Sequence, residues 1–211
     1  MKVKTLFLIC FLSITCLLNA ADKPVIQIHT DNSSLIFRVA DNGRLYQSYL
    51  GKKLSHETDI SHLPQGTEAY ITHGMEDYFE PAIHILHNDG NPSLLLKYVS
   101  HETKAVSQGV NETIITLGGD KYPVTVKLHY VTYPAEDIIK TYTEISHKEK
   151  KPVVLHQYAS SMLHLNRAKY YLTEFAGDWA HEANISDQPL EFGKKVLDTK
   201  LGARANMFIP P

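Results

Sequence analysis

The sequence predicts an all-β protein, an antiparallel β-sandwich, and three observations lead there. Apolar residues recur at every second position in many short segments, turn dipeptides stand between those segments, and no amphipathic helical pattern runs beyond about two turns. Strands with one buried face produce that alternation, because successive side chains point to opposite sides of a sheet.

The clearest strand runs from Val124 to Tyr130, where Val124, Val126, Leu128 and Tyr130 share one face and Thr125, Lys127 and His129 the other. A helix would scatter that set around its axis. Similar runs cover 35–39, 82–87, 94–99, 113–117, 141–145 and 170–173. Asn42-Gly43, Asp89-Gly90 and Gly118-Gly119 read as turns, since glycine and asparagine take positive φ cheaply. Pro64 to Thr67 reads as a loop, and the charged stretch Lys148 to Pro152 as a second loop lying in solvent. The tyrosines Tyr46, Tyr49, Tyr78, Tyr98, Tyr130, Tyr170 and Tyr171 are expected as strand packing residues.

Residues 1–20 have the three parts of a secretory leader: Lys2 and Lys4, an apolar run from Leu6 to Leu18, and Ala20-Ala21 at the cleavage point. That run is shorter than the roughly 20 residues needed to cross a bilayer. The expectation is a secreted or periplasmic chain cut after Ala20. A lipid anchor at Cys16 is disfavoured, because Thr15 stands where a small residue is expected. Cys10 and Cys16 are the only cysteines and both leave with the leader, so the domain at 21–211 is expected to hold by packing without a disulfide.

The chain carries 21 basic and 23 acidic residues with no basic stripe, which argues against a nucleic-acid partner. Twelve histidines invite a metal reading. His84 and His87 are the close pair, but residues three apart on a strand face opposite ways, so no metal is expected. Neither a Gly-x-Ser-x-Gly elbow nor a glycine-rich phosphate or dinucleotide loop occurs, and no cofactor is expected. Sequons begin at Asn32, Asn111 and Asn184, and such short patterns arise often by chance.

Two stretches carry a family resemblance. Gly74-Met75-Glu76-Asp77-Tyr78-Phe79-Glu80-Pro81-Ala82-Ile83, then Asn88-Asp89-Gly90 and a strand ending Tyr98-Val99-Ser100-His101, form the first. Tyr171-Leu172 through Gly177-Asp178-Trp179-Ala180-His181-Glu182 to Leu190, Gly193 and Gly202 form the second. The chain resembles the N-terminal domain of glycoside hydrolase family 36 α-galactosidases over nearly all of 21–211, with Leu128, Tyr130, Tyr133 and Ile138 onward fitting the central strands. Phe79 and His181 stand where the family pattern has arginines, which marks a divergent branch.

The resemblance implies a supersandwich of mutarotase type that packs on a (β/α)-barrel expected beyond Pro211. It implies an α-galactoside as the ligand of the whole enzyme, possible homo-oligomer contacts, and a loop sent toward an active site. It assigns no catalytic residue to this chain, since the nucleophile and acid are barrel aspartates. Retaining hydrolysis needs both carboxylates, so the chain alone is expected to be inactive. The substrate-facing candidates are Asp77, with a turn-capping role as its plainer reading, and Trp179, with a core or interdomain anchor as its plainer reading. The competing class is a free-standing carbohydrate-binding or adhesion sandwich, which would present aromatic rings on an exposed face. An intact mutarotase-like sandwich would need its own acid and base, and no motif assigns them.

Overall fold

The structure is a computed structural model that describes residues 23–75, 79–165, 169–178 and 181–198. Asp77 and Trp179, with the leader and the terminal 207–209, lie outside the described residues. The chain divides into two compact units, one up to His164 and one from Leu165 onward.

The first unit is an antiparallel sandwich built on two four-stranded sheets. One has the order β1 (Val25–His29), β2 (Ser33–Val39), β3 (Leu45–Lys52), β4 (Thr67–Glu68). The other has β6 (Leu96–Ser107), β7 (Val110–Gly119), β8 (Val124–Tyr133), β9 (Ile138–His147). Every neighbour in both is antiparallel and consecutive in sequence, the pattern short hairpin turns produce. A separate ribbon pairs β5 (Ile83–Leu86) with β10 (Val154–Tyr158). The single described helix, α1 (Glu57–Ser61), is one turn long and is tied to β2 by Arg38, which donates to the Ile60 carbonyl.

The core lies where alternation predicts it. Ile26 and Ile28 of β1, Leu35 and Phe37 of β2, and Leu45 of β3 belong to one buried cluster with Ile115 and Leu117 of β7 and Val124, Val126, Leu128 and Tyr130 of β8. Phe37 and Tyr130 come from different sheets, and their rings tilt at 45° with centroids 5.2 Å apart, a favoured aromatic geometry. Ile83 and Ile85 of β5 join the same cluster, so the ribbon is anchored by its inner face.

Three local expectations change. Gly118-Gly119 is not a turn: Gly118 pairs with Lys97 and Thr125, Gly119 pairs with Leu96, and the chain reverses at 120–123. Gly119 serves instead as a close-approach point, because a Cβ there would meet the Tyr122 carbonyl. Strand β6 runs eight residues past the expected end at 99, to Ser107. Its outer part is exposed on both faces, so no apolar alternation marks it. Lys148 to Pro152 does not lie wholly in solvent, since the Glu149 side chain is only 2% exposed.

The second unit is a hairpin of β11 (Tyr171–Asp178) and β12 (His181–Pro189), paired from Tyr171 with Pro189 to Asp178 with His181. Phe175 pairs with Ile185 on a face that leaves Tyr171, Phe175 and Ile185 more than half exposed.

Candidate functional site

The described residues at the two ends of the family-like motif at 74–83 are fastened to each other. Thr72 bridges to Ile83 in parallel, the His73 N–H donates to the Ile83 carbonyl at 3.0 Å, and the Ala82 N–H donates to the Ile71 carbonyl at 2.7 Å. The Leu94 N–H reaches the His73 carbonyl at 3.3 Å from the other side. Gly74 makes the exit possible: its φ is +82°, and a Cβ there would stand 2.5 Å from Ser93 Oγ and 2.8 Å from Ser93 Cα. Ile71 and Ala82, at these ends, are 1% exposed. Phe79 and Glu80 beyond them are exposed. The Glu80 carboxylate accepts from Gln157 Nε2 at 3.3 Å, and the same amide donates to the Pro81 carbonyl at 2.8 Å.

A row of imidazoles flanks those ends. His73 stacks on His84 with centroids 3.7 Å apart, and His84 lies 4.8 Å from His156. His84 and His87, read together from the sequence, go to different clusters. His87 stacks on Tyr122 at 3.5 Å and bonds Glu149. Among the described residues no group of three or more His, Cys, Asp or Glu is arranged to hold a metal ion.

Buried carboxylates are the groups that hydrolase acids draw on. Glu68 is one, and Arg44 holds it in an ion pair; Glu112 and Glu149 are two more. Glu112 of β7 accepts from Tyr142 Oη at 2.6 Å, pairs with His129 Nδ1 at 2.9 Å, and forms an ion pair with Lys104 Nζ at 3.0 Å. The Tyr142, His129 and Lys104 hydrogen bonds hold its carboxyl down at about 2. The Tyr142 hydroxyl, bonded to that carboxylate, is correspondingly pushed up to about 12. Burial alone would raise Glu149, but hydrogen bonds from His87 and Asn88 outweigh it and the net direction is down. A general acid for glycoside cleavage needs the opposite, a raised carboxyl facing a cleft. Neither Glu112 nor Glu149 therefore fits the general-acid role.

Sequence reasoning missed Glu112, His129 and Glu149 as buried polar partners and His73 and His156 as ring partners of His84. The signal for Glu112 and His129 is strand register, which aligns Glu112 with Val131 and His129 with Tyr142 and which no single segment displays; Glu149 lies between strands and has no such signal.

The class that the fold defines is an antiparallel β-sandwich domain, its described residues carrying no grouped metal ligands. The chain matches the glycosyl hydrolase family 36 N-terminal domain over residues 42–209 and belongs to that family. It is 23% identical over 150 residues to a probable alpha-galactosidase G of Aspergillus terreus, covering 65% of this chain and 21% of that protein. The α-galactosidase of Lactobacillus brevis superposes with a TM-score of 0.69 at 20% identity, covering 80% of this chain and 28% of its own. The family 36 α-galactosidase AgaA of Geobacillus stearothermophilus gives 0.72 at 19% identity, covering 81% and 28%. A variant of that enzyme has been solved with raffinose. This chain thus spans between a fifth and a third of the relatives it matches.

Proposed function

We propose that the chain acts as the N-terminal sandwich of an exported α-galactosidase, docking on a catalytic barrel that supplies both carboxylates. The observation that carries this reading is the family match over 42–209 together with coverage of only 28% of the solved α-galactosidases. The sandwich then contributes position rather than chemistry: the fastened loop at 74–81, with Asp77 on it, is directed to the sugar, and Trp179 serves at the interface with the barrel. Export through the leader at 1–20, an α-galactoside as the ligand of the assembled enzyme, and homo-oligomer contacts belong to the same proposal.

The test assays the purified chain on a chromogenic α-galactoside beside the same chain joined to the barrel of a family 36 relative. Turnover is expected from the joined protein alone. Turnover by the short chain, surviving purification, would overturn the assignment.

A second reading, a free-standing carbohydrate-binding module, is favoured by one observation: Tyr171 and Phe175 lie four apart on the same strand face and are 66% and 53% exposed. Retention of the short chain on immobilised galactoside, lost in Tyr171→Ala/Phe175→Ala, would support this module over the docking domain.

A further inference from the structure

The row of His73, His84 and His156 has no part in the proposed sugar chemistry, and its geometry is unusual for polar surface residues. Three neighbouring segments bring one imidazole each to one place. On one side of β5, Thr72 bridges to Ile83 and His73 donates its amide to the Ile83 carbonyl. On the other side, Gln157 of β10 pairs with His84, and the irregularity between Leu155 and Gln157 inserts His156 beside them. Adjacent strands lie about 4.8 Å apart, so rings leaving neighbouring strands on one face can stack. His73 and His84 do so, 3.7 Å apart and 20° from parallel, and His156 tilts by 38° at 4.8 Å.

Stacking of this kind suits neutral imidazoles. Two imidazolium rings at the same spacing would repel each other across a partly buried contact. The charges that act on His84 are those of His73 and His156 themselves. Its register partner Gln157 is neutral, and through that amide the row adjoins the Glu80 carboxylate. Burial first, then the two neighbouring rings, lower the His84 imidazole below its ordinary value of 6.5. Metal binding is the other common use of three histidines, but these rings lie face to face rather than converging on a point.

We propose that His73, His84 and His156 form an acid-sensitive clasp. With His84 neutral, the stacked rings hold the segment 71–75 onto β5 and β10; a charge on His84, placed between its two ring neighbours, opens the stack and loosens that segment. The direction follows from His84. A folded value below the unfolded one gives a contribution present in full above about 6.5 and lost as the pH falls through the lowered value. An exported protein would meet such a fall in an acidified medium, whereas the clasp itself depends only on the rings.

Amide hydrogen exchange on the whole chain tests it, read as protection factors at about pH 7.5 and about pH 5 after correction for intrinsic rates. The reporters are the His73 amide, which donates to Ile83, and the Ala82 amide, which donates to Ile71; the Val126 amide in β8 is the control. The expected result is a fall of about tenfold at both reporters with Val126 little changed. His84→Asn should flatten the fall. His156→Asn, which alters an exposed ring, should reduce it and serves if the first variant folds poorly. A wild-type fall below about threefold, or an equal fall in the variants, overturns the clasp. Loss of galactosidase function in an extended protein would leave this result untouched, so the two proposals fail separately.

Discussion

His87 and Glu149, 62 residues apart in the chain, meet in a 2.7 Å hydrogen bond with side chains 0% and 2% exposed. Glu149 also accepts from the Asn88 backbone at 3.1 Å and from the Asn88 amide side chain, while His87 stacks on Tyr122 and Tyr122 Oη donates to Asp89 at 2.9 Å. A loop that is charged in sequence is thereby fastened to the turn after β5. The fastening fixes where β10 begins, and β10 carries Gln157 and His156 to the foot of the motif loop.

Replacing Glu149 by Gln should destabilise the protein by about 1–3 kcal/mol at neutral pH, because a buried charge-assisted acceptor is replaced by an amide that cannot match all its bonds. The Glu149 carboxyl is held below its ordinary 4.5, so its stabilisation is present above about that pH and lost as the pH falls through the lowered value. Urea denaturation should show the wild-type advantage at pH 7 shrinking in acid. A Glu149→Gln variant within about 0.5 kcal/mol of wild type at neutral pH would show that the pair contributes little beyond an exposed contact.

Glu112 sets a second acid limit. With its carboxyl at about 2 against 4.5 for the free group, its contribution is intact above about pH 4.5 and disappears as the pH falls toward 2. The shift corresponds to at most about 3 kcal/mol, and solvent at Lys104, whose side chain is 55% exposed, reduces it. Glu112→Gln should therefore lower stability at pH 7 and flatten its decline between about pH 5 and 2.5. Denaturation curves at several pH values check both. An unchanged acid slope would mean that the bonds from Tyr142 and His129 carry no net weight.

How far the sequence reveals this architecture depends on which contact is asked about. The inner face of β8 is legible because Val124, Val126, Leu128 and Tyr130 announce it by period two, and all four are buried. His129 falls on the opposite face by the same rule, yet it is 4% exposed, since Glu112 and Tyr142 flank it from neighbouring strands. Burial on an outer face depends on register, and register is a property of pairs of segments. Likewise Lys148-Glu149-Lys150-Lys151 reads as solvated until His87 is placed beside it. The Gly74 to Ile83 pattern points to the family, which the match over residues 42–209 bears out. Its candidate residue Asp77, like Trp179, lies outside the described residues, so resemblance alone singles out those two.

Gly74 is where the chain leaves its contacts with Ile83 and Leu94. It combines φ of +82° with a space that Ser93 already fills, so a side chain there meets both a backbone penalty and a collision. Gly74→Ala should cost about 1–3 kcal/mol in denaturation, with loss of protection at the Leu94 amide that bonds the His73 carbonyl. Adding Ser93→Gly should recover part of the cost by removing Ser93 Oγ and Cβ. It cannot recover all of it, because Ser93 Cα remains 2.8 Å from the new Cβ and φ stays positive. In the chain joined to a family 36 barrel, the proposed function expects the same single change to alter KM for an α-galactoside more than kcat, because that proposal gives this segment positioning and the barrel the chemistry. A fall in kcat at constant KM would place this segment in the reacting centre itself, and unchanged values of both would remove it from the sugar site.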